Sequence, residues 1–134
     1  MLRISEEQLA EILAHAREGA PEEVCGILAG REGTARRIYR GRNVAPNPRV
    51  RYEMEPRQQL EIMQEIEANG EAMVAIYHSH PHSAAFPSHT DQELAFYPDT
   101  LYVIVSLADA EQPVVRAFRL RDHKVEEEEL IVDG

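Results

Sequence analysis

Between Met73 and Pro81 the chain reads MVAIYHSHP, an apolar run that ends in two histidines one residue apart and is closed by a proline. An apolar run of this length is predicted to be a buried strand. On a strand, alternate side chains share a face, so His78 and His80 leave on the same side as Val74 and Ile76. Pro81 ends the strand, having no amide to donate to a ladder. A core strand gains nothing from two imidazoles on one face unless something holds them. The fold must therefore bury this strand and bring partners to its last turn.

The flanking sequence supplies the layers. Ser5 and Gln8 form a capping-box pattern, Ile4 and Leu9 fit a hydrophobic staple, and Leu9, Ile12, Leu13 and Ala16 recur at helical spacing before Gly19. His15 falls off that stripe and is expected at the surface. Val24–Gly30 reads as a buried strand, and Arg36–Arg40 and Val50–Met54 read as further strands around the proline-rich loop NVAPNP. Pro56 opens a second helix carrying Leu60, Met63 and Ile66, which stops at Gly70. Leu101–Leu107 is another strand, and Val114–Arg121 with Val125–Val132 forms a closing pair around RDHK. Helices and strands interleave across residues 1–134, which predicts one α/β or α+β domain built on a central sheet.

Bulk properties narrow the function. A net charge of −10 disfavours binding to nucleic acid, because phosphates would be repelled. The single cysteine, Cys25, excludes an internal disulfide and points to a reducing compartment. The N-terminus has no apolar signal core and no membrane-spanning run follows, so a cytoplasmic protein is expected. Charge is unevenly spread: 8 of the 14 basic residues lie from Arg31 to Arg57, while Glu126–Glu129 are all acidic. These stretches are either solvated faces or, for the arginines, a surface that meets an acidic partner.

Two imidazoles on one side of a strand make half of a divalent-metal site. Zinc ordinarily takes a third protein ligand, with a water completing a catalytic site. Asp91 follows His80 after a loop long enough to return a carboxylate to the pair. Ser88 and Asp91 also match the S-x-x-D capping pattern, which needs no catalysis to explain it. Several metal folds are disfavoured. A barrel of the amidohydrolase type needs about 250 residues, a metallo-β-lactamase would want Asp and His where His82 and Ser83 stand, and no HExxH helix is present.

The run His78-Ser-His80-Pro81, six further residues, then Ser88-x-x-Asp91, resembles the JAMM motif of MPN+ metalloproteases, HxHPx6SxxD with an upstream glutamate. PEEVCGILAG (Pro21–Gly30) is similar to the stretch that carries this glutamate in prokaryotic members, with Glu23 in register and Glu22 pointing away. The stretch NVAPNPRVRYEMEP also looks like this family. The resemblance implies a JAMM/MPN fold, a central mixed β-sheet flanked by helices and related to cytidine deaminases. It implies one Zn²⁺ on His78, His80 and Asp91, Glu23 as general base and then acid, and a Ser88 hydrogen bond to the oxyanion. Cys25 is expected to be a small buried residue, His82 and His89 solvated loop residues, and Tyr77 and Phe86 packing residues.

The resemblance further implies a peptidase or isopeptidase acting after the glycine tail of a small ubiquitin-like sulfur carrier. The chain has little room for the insertions with which eukaryotic relatives grip ubiquitin chains. Two other readings stay open, a general zinc peptidase and a non-catalytic MPN binding scaffold.

Overall fold

The computed structural model describes residues 1–134. In chain order the elements are β1 (Leu2–Ser5), α1 (Glu6–Gly19), β2 (Cys25–Arg31), β3 (Thr34–Gly41), α2 (Pro56–Ala68), β4 (Ala72–His80), α3 (His89–Glu93), β5 (Leu101–Ser106), β6 (Val114–Arg121), β7 (Lys124–Glu128) and β8 (Leu130–Asp133). All eight strands join one mixed sheet in the order β7-β6-β5-β4-β2-β3-β1-β8. No helix is long and apolar enough to cross a membrane.

The closing segment departs from expectation. Val125–Val132, expected as one strand, divides at Glu129 into β7 and β8, which lie at opposite edges of the sheet. Adjacent in sequence yet at opposite edges, they require the sheet to curl until its edges approach. Glu129 O accepts the Leu2 amide at 2.9 Å, and the N-terminal ammonium pairs with Glu128 at 2.8 Å. β1, which carries no sequence signal longer than four residues, fits between β8 and β3, parallel to both.

Each face of the sheet has its own core. Ile12 and Ala16 of α1 pack with Leu2, Leu28, Tyr77, Val103 and Val105 on one face. Ile62 and Ile66 of α2 pack with Ile27, Ile76, Ile104 and Phe118 on the other. Full burial of an aliphatic side chain contributes about 1.5–3 kcal/mol, so these facing sets hold both helices on the sheet. The Ser5–Gln8 capping box forms as expected and starts α1.

Three further expectations are corrected. Val74 does not share a face with Ile76: Leu28 pairs with Ala75 and Ala29 with Met73, which leaves Val74 as the extra residue of a bulge, packed on the α1 side. Val50–Met54 forms no strand. Only Met54 makes an isolated bridge, to Asn43, because the Asn43 side chain holds the Arg51 carbonyl and the Glu53 amide in place of a strand partner. His15 is not a surface residue. It is half-buried, with Nδ1 2.6 Å from the Tyr77 hydroxyl, and Tyr77 lies so close to β2 that a Cβ on Gly26 would stand 2.2 Å from its ring.

His15 makes stability depend on pH. Burial, then the Arg40 charge, lower its pKa below 6.5, while Glu18 and Glu11 oppose them. A lowered histidine pKa contributes stability that is present above the unfolded value and lost as pH falls through the folded one. Urea midpoints should therefore fall between pH 7.5 and pH 5. His15→Asn should shrink the part of that fall that wild type shows in excess, and an unchanged pH profile in the variant would contradict this origin.

Candidate metal centre

Sheet register assembles the site. β2 and β4 are antiparallel with Cys25 opposite His78, so the residue two before Cys25 stands across from His80. That residue is Glu23. The pairing continues past β2: the Ser79 amide donates to Val24 O at 3.1 Å, and the Val24 amide donates to Ser79 Oγ at 2.9 Å. Glu23, His78 and His80 are all buried, whereas Glu22 is exposed. Because β4 and β5 are parallel neighbours, a long crossover must leave the end of β4. That crossover brings back Asp91.

The Asp91 carboxylate ends against both histidines. Its Oδ2 lies 3.1 Å from His78 Nε2 and 3.0 Å from His80 Nε2, and the two Nε2 atoms are 3.1 Å apart. Three donor atoms crowded around one point are what a shared cation requires. His80 Nδ1 is 2.8 Å from the Ala84 carbonyl, so it must carry the proton, and Nε2 is left with its lone pair facing the centre. His78 Nδ1 and Glu23 Oε1 are buried with no hydrogen-bond partner. Orphaned buried polar groups cost about 1–3 kcal/mol each, and such groups gather at functional sites. The ligand atoms of Glu23, His78 and His80 lie within 4.8 Å of one another. The residues therefore fit a divalent metal, with His78, His80 and Asp91 as the tight trio and Glu23 set further back.

The electrostatics divide the two carboxylates. Burial raises Glu23 to about 7, with a further upward push from Asp91 and a downward pull from His80. Burial also pushes Asp91 upward, but the adjacent His78 and His80 imidazoles and the Ser88 amide outweigh it and hold Asp91 well below the usual carboxylate range. The site thus favours the ionised form of Asp91 and, by burial, the neutral form of Glu23.

Ser88 caps α3. Its Oγ accepts the Asp91 amide at 3.0 Å, and Asp91 Oδ2 accepts the Ser88 amide at 2.9 Å. The capping bond occupies an oxygen lone pair and leaves the hydroxyl proton uncommitted. The crossover itself is pinned at three consecutive carbonyls. Ser106 Oγ donates to Ser83 O at 2.5 Å, His80 to Ala84 O, and Arg116 to Ala85 O at 3.3 Å.

Two supporting residues carry no sequence signal beyond their place in the proline-rich region. Tyr52 stacks on His78, with centroids 4.5 Å apart and planes 26° apart. Asn43 donates to the Glu23 and Arg51 carbonyls at 2.9 and 3.0 Å and accepts the Ala45 and Glu53 amides at 3.0 Å. It thereby ties the backbone of Glu23 to the segment that carries Tyr52. Asn43→Ala should lower stability by about 1–3 kcal/mol, since it frees several partly buried groups at once. Chemical denaturation measures this, and a change within error would show that the bonds are replaced by solvent.

The remaining sequence candidates stand apart. Cys25 is fully buried, and burial first, then Glu23, push its thiol up to about 12, so it is an inert packing group. His89 pairs with Glu93 on the exposed face of α3, and His82 is exposed. Tyr77 is a core residue, whereas Phe86 is 48% exposed and packs edge-on against Phe118. In the arginine-rich segment, Arg37 pairs with Glu71, Arg40 with Glu11 and Glu18, and Arg31 binds Gly70 O. Arg36, Arg42, Arg49, Arg51 and Arg57 are left without an ion pair.

The chain is 47% identical over 102 residues to a desampylase of Haloferax volcanii, covering 71% of this chain and 73% of the relative. It is 40% identical over 119 residues to the CysO-cysteine peptidase of Mycobacterium tuberculosis, covering 87% and 81%. The solution structure of protein DSY2949 from Desulfitobacterium hafniense superposes with a TM-score of 0.89 at 39% identity, covering 99% of this chain and 93% of that one. The family model for prokaryotic homologs of the JAB domain matches residues 5–121, a span that holds Glu23, both histidines, Ser88 and Asp91, and the chain belongs to that family.

Proposed function

We propose that this protein is a zinc-dependent hydrolase that cuts the amide bond after the glycine tail of a small ubiquitin-like sulfur-carrier protein. One zinc ion per chain is held by His78, His80 and Asp91. The observation that carries the reading is the convergence of these three donor atoms at 3.0–3.1 Å beside a buried Glu23 whose Oε1 has no hydrogen-bond partner. Relatives named desampylase and CysO-cysteine peptidase support a carrier adduct as substrate.

Bound zinc supplies the Lewis acid that polarises the scissile carbonyl and acidifies the attacking water. The rest falls to the protein. Glu23, buried beside the two histidines, would take the proton of the attacking water and return it to the leaving amine. The free hydroxyl proton of Ser88 donates to the oxygen on which negative charge develops. Asp91, anionic throughout, balances the cation, and Tyr52 keeps the His78 ring in its plane. Arg36, Arg42, Arg49, Arg51 and Arg57, free of ion pairs, offer a charged approach to an acidic carrier, which chiefly speeds and selects encounter.

The test compares a glycine-tailed carrier adduct, the same adduct with its last two glycines changed to bulkier residues, and an unfolded peptide. Turnover confined to the first is expected. Equal turnover of all three would leave a general zinc peptidase, and turnover of none by zinc-loaded protein would leave a binding scaffold.

A further inference from the structure

Beside the metal centre lies a cavity of about 230 Å³. Its walls are mostly apolar, with Arg51 and Glu53 as charged residues on the loop side. Ile27 and Ile76, paired across β2 and β4, contribute from the sheet, Tyr52 and Met54 from the loop, and Leu94 and Phe96 from the segment after α3. Leu94 and Phe96 are 46% and 71% exposed, unusual for large apolar side chains at one spot. The cavity shares Asp91 and Tyr52 with the metal centre but is not lined by Glu23, His80 or Ser88. At this volume it is smaller than the roughly 300–1,000 Å³ of whole small-molecule pockets, so it suits a single side chain.

Its position decides which part of a substrate it receives. Glu23 delivers a proton to the leaving amine, so the amine side of the scissile bond lies over Glu23. The acyl side must then run the other way, past Asp91 and Tyr52. We propose that this cavity is a specificity pocket for one aliphatic side chain on the acyl side of the substrate, the third residue before the scissile bond. The position in the tail follows from the glycine tail of the reading above: the two residues next to the scissile bond carry no side chain, so the third is the first that can fill a pocket bordered by Tyr52. This inference rests on the hydrolase reading above for its direction, and it adds a preference that the reading does not contain.

The test uses zinc-loaded full-length protein and synthetic amides of the form acetyl-Ala-Xaa-Gly-Gly-aminomethylcoumarin, with Xaa as Leu, Val, Ala or Asp. Leu and Val should exceed Ala by about 10-fold in kcat/KM, the usual worth of a filled apolar pocket, and Asp should fall below Ala. The double variant L94E/F96E, changed at two exposed positions, should bring the Leu-to-Ala ratio towards one. Val132→Glu, on the remote β8 edge, should leave that ratio as in wild type. A second readout needs no turnover: adding acetyl-Ala-Leu-Gly-Gly acid to Glu23→Gln protein should shift the amide resonances of Leu94 and Phe96 more than the Ala peptide does. Cleavage with no preference among the four peptides overturns the pocket while the hydrolase reading stands. No cleavage of any, with the Leu-dependent shifts present, overturns the hydrolase reading while the pocket stands, and the absence of those shifts overturns the pocket in either case.

Discussion

Glu23→Gln should leave the metal content and the fold intact and lower turnover by about 10²–10⁴-fold, the range for loss of a positioned general base. The amide matches the carboxylate in shape but can neither take a proton from water nor return it to an amine. Retention of the fold follows from the surroundings. Glu23 Oε1 has no hydrogen-bond partner to lose, and its backbone is held independently, by Pro48 O at 2.7 Å and by Asn43. Removing a buried carboxyl raised to about 7 also removes a desolvation cost. The neighbouring exposed Glu22 is the control, and Glu22→Gln should be active. The reverse pattern, an inert Glu22→Gln and an active Glu23→Gln, would place the base one residue earlier.

His80→Ala should empty the metal site and abolish turnover. Its effect exceeds the loss of one ligand. The imidazole also joins the centre to the Ala84 carbonyl, so the variant releases one of the three pins on the crossover that carries Ser88 and Asp91. Asp91 would also lose one of the two imidazoles that, with the Ser88 amide, keep it ionised. Metal analysis after dialysis should find wild type loaded and His80→Ala largely empty, with His78→Ala and Asp91→Ala behaving alike. Full retention in all three would sink the ligand assignment.

The local parts of this molecule were legible in its sequence. The Ser5 capping box, the helix opened by Pro56 and the strand ending at His80 each rest on residues within a few positions of one another, and all three are present. The site pattern was legible for a related reason. Alternation on β4 fixes His78 and His80 on one face, and the crossover required by the parallel β5 returns Asp91. What was hidden depends on distant partners. The bulge at Val74 exists because β2 and β4 slip by one residue, which no single strand records. The split at Glu129 reflects pairing of β8 with β1, two segments from opposite ends of the chain. His15 leaves the surface because a tyrosine 62 positions away needs a partner. Asn43 and Tyr52 sit in a segment that reads as strand or loop, and only the folded path shows that they brace Glu23 and His78.

The most direct measurement follows one glycine-tailed carrier adduct through removal and return of the metal. Wild-type protein stripped with a chelator and dialysed should release no amine from the adduct. Stepwise addition of zinc should restore release linearly and reach its plateau at one equivalent per chain, while Glu23→Gln, titrated alongside, should bind the same single equivalent and stay inactive. Full turnover by metal-free protein, or a plateau unrelated to one zinc per chain, would contradict the account.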